Sequence, residues 1–241
     1  MDRQTERAYQ VILIIDTETN GRKAEAAEVI ELAYVEVDPF REWDFVESPK
    51  MFRFRPVHGS TPGALSTHHI LDEELEGHPP SSAAKLPPNT QYIIGHGVDF
   101  DWEVLGKPDV KRICTLAMFR SLHPELDSHR LGAMVYHYVK DKSLARTLVQ
   151  DAHQAAADVI LCKLVLNAMM RAHGFVNCTP EWLWEFSEQA RVPKVMPFGK
   201  WSPLQCGKEV PIKDLPYDYK VWCLKQKDMD PYVLRAIRES L

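Results

Sequence analysis

The stretch Val11-Ile12-Leu13-Ile14-Ile15-Asp16-Thr17-Glu18 decides the fold. Its five aliphatic residues are mostly β-branched and too few for a helix with its own core face. They read as a buried strand ending at Asp16. Side chains alternate along an extended chain, so Asp16 and Glu18 point the same way. Two carboxylates held side by side repel each other, and a divalent cation or a shared proton makes them tolerable. The plain alternative is a solvated turn before Asn20-Gly21.

Outward from this strand, residues 29–37 form a second apolar run, with acidic alternation from Val35. Residues 51–55 form a third, closed by Pro56. Three strands in succession predict an antiparallel meander. Pro79-Pro80 and Pro87-Pro88 bracket a loop-rich stretch. Residues 92–96 read as a fourth strand leading into a helix near Asp99, and residues 112–114 as a short fifth. Helices are expected over residues 116–121, 128–139 and 154–171. The last carries Val159, Leu161, Cys162, Val165, Leu166 and Met169 at helical spacing, and Gly174 stops it. This order predicts an α/β fold, a mixed central sheet flanked by helices. Thr179-Pro180 opens a further helix, whose Trp182, Trp184 and Phe186 are assigned to the core.

Two further segments place chemistry at element ends. Gly95-His96-Gly97-Val98-Asp99-Phe100-Asp101 follows the fourth strand and sets acids where a helix begins. His153-Gln154-Ala155-Ala156-Ala157-Asp158 is the other. On one continuous helix His153 and Asp158 would lie about 140° apart. They converge only if His153 precedes the helix and Asp158 lies within it. A lone His or Asp here would be a cap or a surface group; three such segments read as one site.

The chain of 241 residues suffices for one buried domain and a small appendage. No stretch approaches the roughly 20 apolar residues of a membrane span. The polar start is unlike a secretory signal. Five scattered cysteines without a C-x-x-C pair argue against zinc or a disulfide framework and for reduced thiols in a cytoplasmic protein. The net charge of -5 divides unevenly. Residues 191–241 hold 10 Lys and Arg against 6 Asp and Glu, a tail of +4, and the remainder is -9. An acidic body concentrates carboxylates for cations, and a basic tail neutralises phosphates.

The D-x-E, F-D and H-x-x-x-x-D segments together resemble the DEDDh branch of the DnaQ-like exonucleases, which share an RNase H-like fold. The resemblance spans residues 11–174. It includes Val29-Ile30-Glu31-Leu32-Ala33, Ile113-Cys114-Thr115-Leu116 and Ser128-His129-Arg130-Leu131-Gly132. Met196-Pro197-Phe198-Gly199-Lys200-Trp201 and Leu215-Pro216-Tyr217-Asp218-Tyr219 resemble a small C-terminal module of one subgroup. The implied domains are an exonuclease domain (1–176), a connecting helix (177–190) and a basic module (191–241).

The resemblance implies a 3′–5′ exonuclease that hydrolyses DNA to nucleoside monophosphates, in DNA repair or processing. It implies two Mg²⁺ or Mn²⁺ ions held by Asp16, Glu18, Asp101 and Asp158, with His153 accepting the proton of the attacking water. A sister branch carries Tyr where this chain has Gln154, which indicates the His variant. Thr17 and His68 would contact the terminal nucleotide. Asp99 competes with Asp101 for the cation role, and Asp101 is preferred because it follows Phe100. The family commonly carries Asn where Gly97 stands. Partners would be single-stranded DNA or duplex 3′ ends, and no membrane. Alternatives are an exoribonuclease, a polymerase proofreading subunit, and a non-catalytic nucleic-acid-binding module. The complete acidic set argues against the last.

Overall fold

The computed structural model describes residues 10–150, 154–175 and 177–241. Its strands are β1 (Val11–Thr19), β2 (Val29–Asp38), β3 (Asp44–Phe45), β4 (Lys50–Arg53), β5 (Thr90–Gly95) and β6 (Lys111–Cys114). They form one mixed sheet ordered β3-β2-β1-β5-β6, with β4 also paired to β2. β1 runs antiparallel to β2 and parallel to β5, and β5 runs parallel to β6. β4 is antiparallel to β2, so the expected meander is present. This mixed sheet flanked by helices is the RNase H-like arrangement.

The helices are α1 (Pro62–His68), α2 (Asp99–Val104), α3 (Thr115–Leu122), α4 (Leu131–Tyr138), α5 (Lys142–Gln150), α6 (Ala155–Ala172), α7 (Pro180–Ala190), α8 (Pro203–Cys206), α9 (Tyr217–Leu224) and α10 (Pro231–Glu239). No described helix is long and apolar enough to cross a membrane. β1 owes its central place to Ile12, Leu13, Ile14 and Ile15, all buried. Leu13 and Ile15 cluster with Ile93, Val98 and Cys114. α6 packs on β1 and β2, burying Val159, Leu161, Cys162, Val165, Leu166 and Met169.

Three expectations need correction. β1 continues past Asp16 to Thr19, because the β-branched Thr17 and Thr19 keep pairing with β2 as far as Val29. Both acids therefore sit within a strand rather than beyond its end. α5 was not expected; its Leu144, Ala145, Leu148 and Val149 recur at helical spacing, although only Ala145 is buried. Trp182, Trp184 and Phe186 do not form core. α7 turns Leu183 and Ser187 inward, and Ser187 Oγ accepts the Cys114 N–H at 2.7 Å. Trp182 and Phe186, also four residues apart, make a neighbouring stacked stripe.

Two compact units divide the chain, Met1–Ser187 and Glu188–Leu241. The second has its own core of Met196, Val210, Ile212, Leu215, Cys223, Val233, Ala236 and Ile237. Lys220 is buried there, and its ammonium donates to the carbonyls of Lys213 at 2.8 Å and Ser240 at 3.1 Å. Those bonds tie α9 to the end of α10 and satisfy carbonyls that helix ends leave without partners.

Candidate active site

β1 presents Asp16 and Glu18 on one side by alternation, and α6 brings Asp158 to them from its first turn. One carboxylate oxygen from each of the three lies within 4.8 Å of the others. Among the described residues no other group of three or more His, Cys, Asp or Glu meets this geometry. The small side chains of Ala155, Ala156 and Ala157 open α6, and Ala155 is fully buried.

Asp101 joins from α2 by a different route. Its Oδ1 accepts both the Thr17 N–H at 2.9 Å and the Thr17 hydroxyl at 2.7 Å. The approach depends on Gly95. A Cβ there would stand 3.2 Å from the Ile15 carbonyl oxygen and 3.1 Å from Val98 Cβ, against the strand and the turn that launches α2. Gly97 follows at a φ of +95°. Glycine adopts such a backbone without strain, and asparagine tolerates the left-handed region better than most residues. Asp99 lies elsewhere, in an ion pair with Arg112 at 2.5 Å.

The cluster is electrostatically crowded. Burial and the charges of Asp101, Asp158, Glu18 and Glu31 hold the Asp16 carboxyl well above the ordinary range. Glu18 is pushed up to about 8, by burial first and then by Asp158, Glu31 and Asp101. Burial raises Asp101 to about 6, although the Thr17 bonds pull it down. Carboxylates so arranged call for compensating positive charge. The donors are all hard oxygens, which fits Mg²⁺ or Mn²⁺ and does not resemble a thiolate or imidazole zinc site.

Glu31 belongs to this neighbourhood and was not singled out by the sequence. It pairs with Glu18 in the β1–β2 register and is 1% exposed. Its Oε1 accepts the Ala155 N–H at 3.2 Å, and its Oε2 accepts from Arg53 Nε at 3.0 Å. It thus fixes the start of the helix that bears Asp158. The one sequence signal was an acid in the apolar first half of β2, ahead of the acidic alternation that begins at Val35.

His68 is buried at the end of α1, and its Nδ1 accepts the Ile70 N–H at 2.9 Å. Its Nε2 has no hydrogen-bond partner among the described residues. His96 bonds to the Thr115 hydroxyl and the His129 carbonyl, a local bracing role. His153 lies outside the described residues, two positions before Ala155.

Comparison with known proteins finds exonucleases. Exodeoxyribonuclease 10 of Escherichia coli strain K12 is 23% identical over 96% of this chain and 99% of its own length. A structure of exonuclease X with 5′-overhanging duplex DNA matches with a TM-score of 0.57 at 24% identity, covering 73% of this chain and 99% of that one. Escherichia coli exonuclease I with a dA16 oligonucleotide also gives 0.57, at 20% identity over 77% of this chain and 44% of that one. The sequence model of the RNase_T exonucleases matches residues 13–166, the span that builds the sheet, α2 and most of α6, and the chain therefore belongs to that exonuclease family.

Proposed function

We propose that this protein is a 3′–5′ exodeoxyribonuclease that hydrolyses DNA to nucleoside monophosphates with two divalent cations, in DNA repair or processing. The observation that carries the reading is the convergence of Asp16, Glu18 and Asp158 within 4.8 Å. Asp101 stands beside them, fixed by Thr17. These four residues would hold Mg²⁺ or Mn²⁺, which would activate water and stabilise the leaving 3′ oxygen. DNA as substrate is supported by the exodeoxyribonuclease likeness and by the DNA bound in the similar structures.

The chain's own residues supply the rest. Glu31 holds the α6 start, so that Asp158 meets β1 at a fixed height. His153, just upstream, is the proposed proton acceptor; an imidazole near pKa 6.5 suits that work at neutral pH. Because His68 Nδ1 accepts from Ile70, a neutral ring carries its proton on Nε2. His68, whose buried Nε2 has no partner among the described residues, and Thr17 are the proposed contacts to the terminal nucleotide. Residues 1–176 form the proposed exonuclease domain, 177–190 the connecting helix and 191–241 the basic module. A cytoplasmic setting fits the five free cysteines.

Digestion of 5′-labelled single-stranded DNA, duplex DNA and RNA in Mg²⁺ tests this reading. Stepwise shortening of labelled DNA is expected, with chelator abolishing it. Release of the 5′ label as a mononucleotide, or attack on RNA alone, would overturn it.

A further inference from the structure

We propose that the C-terminal unit carries a stacking platform for single-stranded nucleic acid, built from Trp222, Tyr219 and Lys200. The proposal rests on the reading of the chain as an exonuclease of DNA and adds a second binding site remote in sequence from the carboxylates.

The platform begins with a turn. Gly199 has a φ of +70°, and a Cβ on it would stand 3.3 Å from the Tyr219 hydroxyl oxygen. Glycine is the residue that turns here with least strain. Lys200 then lies with Nζ 5.1 Å from the Tyr219 ring centre and 5.6 Å from that of Trp201. Tyr219 and Trp222, three residues apart on α9, stack at 5.5 Å with their planes 19° apart. The result is a cation beside two stacked rings.

Trp222 is 50% exposed, although the unit's core closes without it. Tyr217 is 71% exposed and Phe198 41%. A half-exposed tryptophan stacked on Tyr219 leaves a flat apolar face open to solvent. The same segment, residues 191–241, carries a net charge of +4. The fitting partner offers flat apolar faces and regular negative charge together. Single-stranded nucleic acid does both, since its bases are open to stacking and its phosphates follow at each step. Duplex bases already stack on one another, and an acidic peptide supplies charge without flat faces. A strand held here while its end is trimmed would gain affinity by tethering.

The test uses the full chain with Asp16→Asn to stop turnover, and measures binding of labelled dT30, blunt duplex and polyglutamate over a range of salt. Trp222→Ala, which removes a half-exposed side chain and leaves the core whole, should weaken dT30 binding about tenfold, the scale of one base–aromatic stack. Trp222→Phe should restore most of the loss. Lys200→Ala should flatten the salt dependence by about one phosphate contact.

Undiminished dT30 binding by folded Trp222→Ala overturns the platform. Loss of polyglutamate binding with dT30 unaffected assigns the surface to a protein instead. If the parent chain cleaves DNA but Trp222→Ala is silent, only the platform fails. If the parent neither cleaves nor binds any strand, the exonuclease reading fails with it.

Discussion

Replacing Glu18 with glutamine should make the cation-free protein more stable at pH 8 and change it little at pH 5. An unfolded glutamate titrates near 4.5, whereas burial and three neighbouring acids put the folded Glu18 at about 8. Below pH 4.5 both states hold the proton and Glu18 costs nothing. As pH rises toward 8 the unfolded chain gives up a proton that the folded chain retains, so stability falls. Above about pH 8 the whole penalty is present. The gap corresponds to about 5 kcal/mol at about 1.4 kcal/mol per pH unit. That figure is a ceiling, because Asp158, Glu31 and Asp101 redistribute protons as Glu18 ionises. Urea unfolding in chelator should show Glu18→Gln stabilised by about 2–5 kcal/mol at pH 8 and by less than about 1 kcal/mol at pH 5. Mg²⁺ should stabilise wild type more than the variant, since bound cations relieve the same repulsion. An equal gain at both pH values, or none at pH 8, would refute the crowded cluster.

Three further outcomes are expected. Glu31→Ala should lower kcat and raise the Mg²⁺ needed for half-maximal rate, because the Ala155 N–H loses its anchor; Glu31→Gln retains an acceptor and should recover much of the rate. Steady-state kinetics across a Mg²⁺ titration separates the two, and identical behaviour of both variants with wild type would dismiss the anchor. His153→Ala should keep cation and DNA binding but slow single-turnover hydrolysis by roughly 10²–10⁴, the span of a positioned base. Lys220→Ala should destabilise the C-terminal unit by about 2–3 kcal/mol, as two buried carbonyls lose an ammonium donor; denaturant unfolding monitored by tryptophan fluorescence reads it.

Much of the site was legible because its signals are local. Alternation put Asp16 and Glu18 on one side of β1. The His153–Asp158 offset required a helix to start between them, and α6 starts at Ala155. Phe100-Asp101 singled out the acid that meets Thr17 rather than the one that meets Arg112. What escaped depends on contacts distant in sequence. Glu31 reads as one of the acids of β2, and its role arises from Arg53 and from Ala155, 124 residues away. Lys220 reads as a solvated lysine until α10 closes over it. The length of β1 was underestimated because Thr17 and Thr19 look like turn residues until β2 pairs with them. The aromatic stripe of α7 was placed inside on hydrophobicity alone, whereas the hydrogen bond from Cys114 to Ser187 decides which face turns in.

The most direct measurement of the central claim is the single-turnover release of the terminal nucleotide from a 5′-labelled DNA strand, followed over a Mg²⁺ titration in wild type and in Asp16→Asn. The account predicts shortening from the 3′ end that depends on Mg²⁺ in wild type, and a rate lower by roughly three orders of magnitude or more in the folded variant, as expected when a carboxylate that holds the cations is removed. Near-normal hydrolysis by folded Asp16→Asn, or wild-type hydrolysis that survives chelation, would contradict it.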